Sequence, residues 1–152
     1  MAFDEREHFL ADTRVGVLGI TDTQTGRAPL LVPVWYLYDP RDGIVVQTGQ
    51  DTFKARLLLA AGRFSLCVQD ENQPYRYVSV EGPITAVKRP VAPAERETIA
   101  RRYLSSEEAD SYLRSTTEQL RNDITFHMRP QHWRTANFAA FATEFVEVNG
   151  SL

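Results

Sequence analysis

Short polar loops separate the first apolar, β-branched runs of the chain, and none of these loops is long enough to contain a crossover helix. Residues 13–21 and 28–38 are two such runs, and residues 22–26 between them have the Asp, Thr and Gly composition of a hairpin connection. Parallel neighbours need a connection of about a dozen residues or more. The sequence therefore predicts antiparallel pairing and disfavours a parallel sheet.

The rest of the sequence predicts further strands together with helices, which is typical of an α+β fold. These strands are predicted at residues 44–47, 64–69, 75–87, 124–128 and 133–138. Helices are predicted before Asp12 and over residues 54–61, and an inserted helical pair is predicted over about residues 94–120. Because 152 residues fit one domain, we expect a single, mainly β domain with a barrel core.

Three local signals refine this prediction. Asp4 has the chemistry of an N-cap for the first helix. Pro29 and Pro33 lack the amide hydrogen that a strand interior needs, which predicts bulges or a sheet edge. The run over residues 28–38 has no clean polar and apolar alternation, so we expect both of its faces to be covered.

Charge and composition exclude several classes of protein. The 17 Lys and Arg against 20 Asp and Glu give a net charge of −3, which argues against a surface dedicated to nucleic acid. No run approaches the roughly 18 apolar residues that span a bilayer, and we expect no signal peptide. The lone Cys67 can form no intrachain disulfide, is expected to pack as a small apolar side chain, and favours a cytoplasmic location. The three histidines lack metal-ligand spacing, so no metal site is predicted.

The segment that enters the second helix has the outline of an anion site. Thr48 ends a strand, and Thr52 and Lys54 begin the helix, where free amide groups and the positive end of the helix dipole attract anions. Asp51 or Thr52 is expected to cap this helix and Gly62 to end it. The alternative is an ordinary helix start with a solvated lysine.

Trp35 and Tyr36 offer flat aromatic surface beside backbone groups that the prolines leave unpaired, which suits a planar heterocycle. The alternative is that both rings fill the core or a dimer contact. The sequence contains no Gly-x-Ser-x-Gly, Walker or Gly-x-Gly-x-x-Gly motif. No catalytic residue is predicted from these patterns.

Four motifs follow one another along the chain: LVPVWYLY at residues 31–38, Thr-Gly followed by Lys-Ala-Arg within residues 48–56, YRYVSVEG at 75–82 and HWRT at 132–135. In this order they resemble the pyridoxamine 5'-phosphate oxidase-like split-barrel proteins, and most closely their deazaflavin-dependent branch. The resemblance runs from the first helix to about residue 138. It implies a homodimer of six-stranded antiparallel split barrels with short flanking helices and with cofactor sites at the subunit interface.

The resemblance also assigns residues to a cofactor site. It implies that the ring lies along the strand of residues 31–36 and that the phosphate lies where a strand meets the short helix. Relatives commonly have a basic residue where this chain has Phe53, so binding of the phosphate would depend on Lys54 and Arg56. The implied cofactor-binding residues are Val32, Pro33, Val34, Trp35, Thr48, Thr52, Lys54, Arg56, Tyr77 and Trp133.

The implied cofactor is coenzyme F420, with FMN as the alternative. The implied function is an oxidoreductase that transfers a hydride to a planar conjugated small molecule. Two alternatives stay open: an FMN-binding oxidoreductase, and a protein that binds a cofactor or a tetrapyrrole without turnover. Oxidation of vitamin B6 phosphates is disfavoured, because this chain is shorter than those oxidases and is apolar where they carry a basic strand segment.

Overall fold

The computed structural model describes residues 1–139, which form four α-helices, one 3-10 helix (Gln119–Asn122) and eight strands. The helices are α1 (Phe3–Ala11), α2 (Phe53–Ala61), α3 (Pro93–Tyr103) and α4 (Ser106–Ser115). The strands are β1 (Gly16–Ile20), β2 (Leu30–Val34), β3 (Leu37–Asp39), β4 (Gly43–Gly49), β5 (Arg63–Asp70), β6 (Arg76–Lys88), β7 (Asp123–Met128) and β8 (His132–Asn137).

All of these strand pairs are antiparallel, which confirms the prediction from the short loops. The strand order is β2-β1-β5-β6-β7-β4-β3, with β8 paired to β6. Strand β6 is 13 residues long, and its first part pairs with β5 and β8 while its second part pairs with β7. A register shift between Ile84 and Ala86 marks the change of partner. The sheet is thus a curled half-barrel, as the predicted fold class requires.

Strands β2 and β3 lie at opposite ends of this order, although only Trp35 and Tyr36 separate them along the chain. A chain advances at most about 3.6 Å per residue, so the two sheet edges approach within about 11 Å at this point. The sheet must therefore curl. The prediction of one continuous strand over residues 28–38 is wrong, because Trp35 and Tyr36 divide this run into β2 and β3. The division adds one strand segment to the sheet, which has eight in all. We call Trp35 and Tyr36 the corner.

Buried contacts hold the corner in place. The Tyr36 side chain is fully buried, and its hydroxyl donates a hydrogen bond to the Leu10 carbonyl at 2.8 Å. Burial raises the pKa of Tyr36 to about 12. The Tyr36 amide donates to the Tyr103 hydroxyl at 3.2 Å. The neighbouring Arg102 donates to three carbonyls at the end of α1, at 2.8 to 3.1 Å. Helices α1 and α3 and the corner therefore form one connected unit.

The edge strand β2 has only one covered face within the protomer. Its position at the sheet edge confirms the prediction from its prolines. Val34 is buried and packs in the core, whereas Leu31 is 69% exposed and Pro33 is exposed as well. The expectation that both faces are covered is therefore wrong for the protomer, because the outward residues Leu31 and Pro33 remain exposed.

Strand β7, in contrast, is buried on both faces. Ile124, Phe126 and Met128 belong to the barrel core. Thr125 and His127 point to the other side, where His127 Nε2 lies 3.4 Å from Glu95 Oε1 of α3. The inserted helices therefore cover the outer face of this part of the sheet.

One helix prediction needs correction, and another is confirmed. Helix α1 begins after Ala2 and has no side-chain cap. Asp4 lies inside the first turn, where its negative charge interacts favourably with the positive end of the helix dipole. The helical pair predicted over residues 94–120 is confirmed as two helices. Helix α3 ends at Tyr103, and α4 runs from Ser106 to Ser115 with Ser105 as its hydrogen-bonded cap.

Gly82 allows the turn between β7 and β8 to approach the sheet. A Cβ atom at Gly82 would lie 1.9 Å from the Arg129 carbonyl oxygen, which is far inside van der Waals contact. We expect Gly82→Ala to lower the free energy of unfolding by about 1–3 kcal/mol, as measured by urea denaturation.

The control is Gly19→Ala in β1, where the nearest atom to an added Cβ lies at 3.4 Å. This variant should change the free energy of unfolding by less than about 0.5 kcal/mol. Equal losses in the two variants would contradict the steric explanation.

Candidate functional site

A cavity of about 400 Å³ opens beside the corner. This volume is within the range of roughly 300–1,000 Å³ that small-molecule sites occupy. Its apolar side is formed by Pro33, Val34 and Trp35 from β2 and the corner, and by Ile99 from α3. Its polar side is formed by Gln47, Lys54 and Asp123.

Strand alternation explains how Gln47 and Asp123 reach the cavity. Their neighbours Val46 and Ile124 face the barrel core, so the two polar side chains point to the outer face of the sheet. Helices α3 and α4 lie over this face and contribute Ile99 and Tyr112 to the cavity wall. The cavity is therefore bounded by the sheet on one side and by the inserted helices on the other.

Lys54 lies in the first turn of α2 and is the cation of this cavity. Its side chain is half-buried, and within residues 1–139 it has neither a hydrogen bond nor an ion pair. Burial lowers the pKa of Lys54, while the nearby charge of Asp123 raises it. The ammonium group is thus free to bind an anionic ligand.

Asp123 is a residue of the site that the sequence reasoning missed. Burial raises the pKa of the Asp123 carboxyl group, and the positive charges of Arg96 and Lys54 oppose this effect. Within the described residues this side chain also has no hydrogen bond or ion pair. The alternation of polar and apolar residues over 123–128 is the signal that places Asp123 on the outer face, but it does not indicate a cavity there.

Trp35 belongs to an aromatic cluster formed within the protomer. Its ring is stacked on Tyr103 with centroids 5.2 Å apart and an angle of 5°, and Tyr112 is tilted against it at 5.7 Å. The aromatic surface that the sequence suggested as free for a heterocycle is therefore partly covered by α3 and α4. Pro33, which is exposed, is the more open part of this wall.

The two threonines of the predicted anion site have structural roles in the protomer. Thr52 caps α2, because its hydroxyl accepts from the Ala55 amide at 3.1 Å and donates to the Gly49 carbonyl at 2.8 Å. The Thr48 hydroxyl lies 3.1 Å from that of Thr52, and Thr48 is only 7% exposed. Of the two predicted alternatives, Thr52 rather than Asp51 is the cap, and the predicted end of the helix at Gly62 is confirmed.

The structure places four other predicted residues away from this cavity in the protomer. Val32 packs against the core, and Arg56 is exposed with its guanidinium 5.8 Å from the Phe53 ring centroid. Tyr77 lines a separate cavity of about 300 Å³. Trp133 packs under the Arg6 guanidinium at 4.1 Å. Of the ten predicted residues, the cavity unites Pro33, Val34, Trp35 and Lys54.

A second cavity, of about 620 Å³, shares Val15 and Pro33 with the first and extends along β1 and β5. Cys67 lines it and is half-buried, and burial raises the pKa of its thiol. Val15 and Val17 are exposed apolar side chains here, at 52% and 37%, and they lie beside polar residues such as Arg14 and Gln69. The two cavities therefore lie next to each other, with Val15 and Pro33 in both walls.

Two further kinds of site are not found in the described part of the chain. Residues 1–139 contain no group of three or more His, Cys, Asp or Glu side chains that would hold a metal ion. No described helix is long and apolar enough to cross a membrane.

A half-barrel with a cavity at its open edge is the architecture of split-barrel proteins. A sequence model of the pyridoxamine 5'-phosphate oxidase family matches residues 3–137 of this chain. The chain therefore belongs to that family, as the four motifs predict.

Solved structures share this fold at low sequence identity. An F420 reductase aligns with 18% identity and a TM-score of 0.69, over 84% of this chain and 94% of that one. A FAD-binding protein from Mesorhizobium loti aligns with 18% identity and a TM-score of 0.60, over 89% and 92% of the two chains. HutZ, the heme storage protein from Vibrio cholerae, aligns with 16% identity and a TM-score of 0.64, over 87% and 92%. No curated protein matches the chain significantly.

The Tyr103 hydroxyl connects the inserted helices to the corner, because it accepts from the Tyr36 amide and donates to the Arg14 carbonyl at 2.7 Å. We expect Tyr103→Phe to lower the free energy of unfolding by about 1–3 kcal/mol, since the amide loses its partner while the ring stacking remains. Urea denaturation measures this loss.

Tyr112→Phe is the matched control, because the Tyr112 hydroxyl has no hydrogen-bond partner within residues 1–139. Its stability should stay within about 0.5 kcal/mol of the wild type. A Tyr103→Phe variant as stable as this control would mean that the hydroxyl does not hold the corner.

Proposed function

We propose that this protein is a cofactor-binding oxidoreductase of the split-barrel family, and that its cofactor is coenzyme F420, with FMN as the alternative. The observation that carries the proposal is the unpaired, half-buried Lys54 ammonium in a cavity bounded by the β2 edge. The family membership and the resemblance of the fold to an F420 reductase support it.

The residues of the cavity suit such a cofactor. Lys54 would bind its phosphate group, and Pro33 and Val34 would lie along its ring. A reduced deazaflavin or flavin bound there would supply a hydride to a planar conjugated substrate. The protein itself has to bind and orient the cofactor and the substrate and to exclude water. No catalytic dyad or triad is predicted from the sequence, which agrees with this function.

Ile99 and Tyr112 provide the wall that excludes water from the inner side of the cavity. Ile99 is 6% exposed and forms the buried part of this wall, whereas Tyr112 packs against Trp35 and is 36% exposed. Excluding water strengthens the electrostatic contacts inside a site and limits loss of a reactive hydride. The helical insertion therefore shapes the site in this proposal.

The proposed functional unit is a homodimer in the cytoplasm. On or next to β1 and the edge strand β2, three apolar side chains are exposed: Val15, Val17 and Leu31, with Leu31 at 69%. A neighbouring subunit would bury them and cover the two adjacent cavities. Arg56, Tyr77 and Trp133, which the resemblance assigns to the cofactor, lie outside the first cavity, and their assignment depends on such a shared site.

A second candidate function is binding of a cofactor or tetrapyrrole without turnover, and the likeness to the fold of a heme storage protein favours it. Reduction of quinones, nitroaromatics, enones and biliverdin-like tetrapyrroles by the protein with reduced F420 would discriminate the two. Tight binding with no reduction of any acceptor would favour the binding protein.

Calorimetric titration of the protein with F420 and with FMN tests the cofactor directly. We expect Lys54→Ala to weaken cofactor binding by about 1.5–3 kcal/mol, the scale of a charge-assisted hydrogen bond, with the thermal unfolding temperature unchanged.

The other lysine of the chain provides the control. Lys88 pairs with Glu95 at 3.3 Å and does not line the cavity, so Lys88→Ala should bind the cofactor as the wild type does. Unchanged affinity in Lys54→Ala would remove Lys54 from the site, and failure of the wild type to bind either cofactor would refute the proposed function.

A further inference from the structure

The wall of the first cavity carries no net charge. Within residues 1–139 its charged lining residues are Lys54 and Asp123, whose charges cancel. No ion pair joins them, although each is near enough to affect the pKa of the other. A phosphate bound at Lys54 gains nothing from Asp123, because carboxylate and phosphate oxygens both accept hydrogen bonds and both carry negative charge. The carboxylate therefore calls for a second, different group on the ligand.

Gln47 extends the acceptor surface that Asp123 begins. Asp123 pairs with Gly49 across β4 and β7, and Gln47 pairs with Thr125, so Gln47 and Asp123 are diagonal neighbours on the outer face of the sheet. The Gln47 amide nitrogen donates to the Thr125 hydroxyl at 3.3 Å, and its amide oxygen has no hydrogen bond within the described residues. The wall beside Lys54 therefore presents a carboxylate and an amide oxygen, which both accept hydrogen bonds.

These acceptors beside one cation fit a ligand that combines an anion with hydrogen-bond donors. A half-buried carboxylate that no protein group contacts is stabilised when a ligand donates to it, and such charge-assisted bonds are roughly twice as strong as neutral ones. In FMN and in coenzyme F420 the phosphate is attached to a ribityl chain, whose hydroxyl groups are donors of this kind. The hydroxyls adjoin the phosphate, just as Asp123 and Gln47 line the same cavity as Lys54.

We propose that Asp123 is a cofactor-binding residue whose carboxylate accepts a hydrogen bond from a hydroxyl of the ribityl chain, while Lys54 binds the phosphate at the end of that chain. Gln47 offers a second acceptor to the same chain. This inference rests on the proposed function, since it concerns the same cofactor site. It assigns the cavity to a polyol phosphate, and it distinguishes that ligand from a phosphate on an unsubstituted alkyl chain.

The test compares Asp123→Asn with Asp123→Ala, because both remove the negative charge but only asparagine keeps an acceptor oxygen at this position. The two variants are titrated calorimetrically with F420, with FMN and with a flavin analogue whose side chain is an unsubstituted pentyl phosphate. Asp123→Asn should bind F420 and FMN about fivefold more tightly than Asp123→Ala, the scale of one neutral hydrogen bond. Both variants should bind the pentyl phosphate analogue with the same affinity, because its chain has no hydroxyl.

The wild type provides a second, independent ratio. It should bind FMN more tightly than the pentyl phosphate analogue, and Asp123→Ala should reduce this preference about tenfold, the scale of a charge-assisted hydrogen bond. Repulsion between the carboxylate and the phosphate is the same for both ligands, so it cancels in the ratio. Asp42→Ala, which removes a carboxylate from an exposed loop, should leave the preference unchanged.

Each outcome decides between the claims. Equal affinities of Asp123→Asn and Asp123→Ala for the cofactors, or a difference equally large for the pentyl phosphate analogue, would overturn the inference and leave the proposed function standing. Failure of the wild type to bind either cofactor would overturn both. If the wild type binds F420 alone, the affinities of the two variants for F420 decide the inference. If Asp123→Ala unfolds, Asp123→Val, which suits a strand and also lacks an acceptor, replaces it in every measurement.

Discussion

Two residues, Trp35 and Tyr36, connect strands at opposite edges of the sheet, and this short connection sets both the curvature of the barrel and the position of the cavity. The chain tolerates the connection because Tyr36 is fully buried and bonded to α1, while α3 supplies the acceptor for its amide. Trp35 then faces the inserted helices at the cavity wall. The fold and the site therefore depend on the same packing.

Local signals predicted much of the fold. The antiparallel pairing follows from short loops, and the bounds of α2 follow from a cap at Thr52 and a glycine at its end. The interruption of the run over residues 28–38 could not be predicted in this way, because its sequence is apolar throughout. The groups that fix it, on Leu10 and Tyr103, are far away along the chain, and only tertiary packing brings them to Tyr36.

The sequence predicted only those residues of the candidate site that belong to a local motif. The motif residues that meet in the cavity are Pro33, Val34, Trp35 and Lys54. Asp123 has no motif, and it reaches the cavity only because the register of β4 and β7 sets it opposite Gly49. Thr48 and Thr52 have the residue types of a ligand site, but the Thr52 hydroxyl caps α2 and the Thr48 hydroxyl is hydrogen-bonded to it. Residue type alone does not separate these two uses of a hydroxyl.

The pairing of β4 with β7 also affects how the chain can acquire its structure during synthesis. Ile44 pairs with Met128, so β4 leaves the ribosome long before its second neighbour is made. Until then β4 can pair only with β3, and it presents an apolar strand with one unpaired edge. Nascent or truncated chains that end before residue 123 are therefore expected to need a chaperone, or to aggregate through this strand.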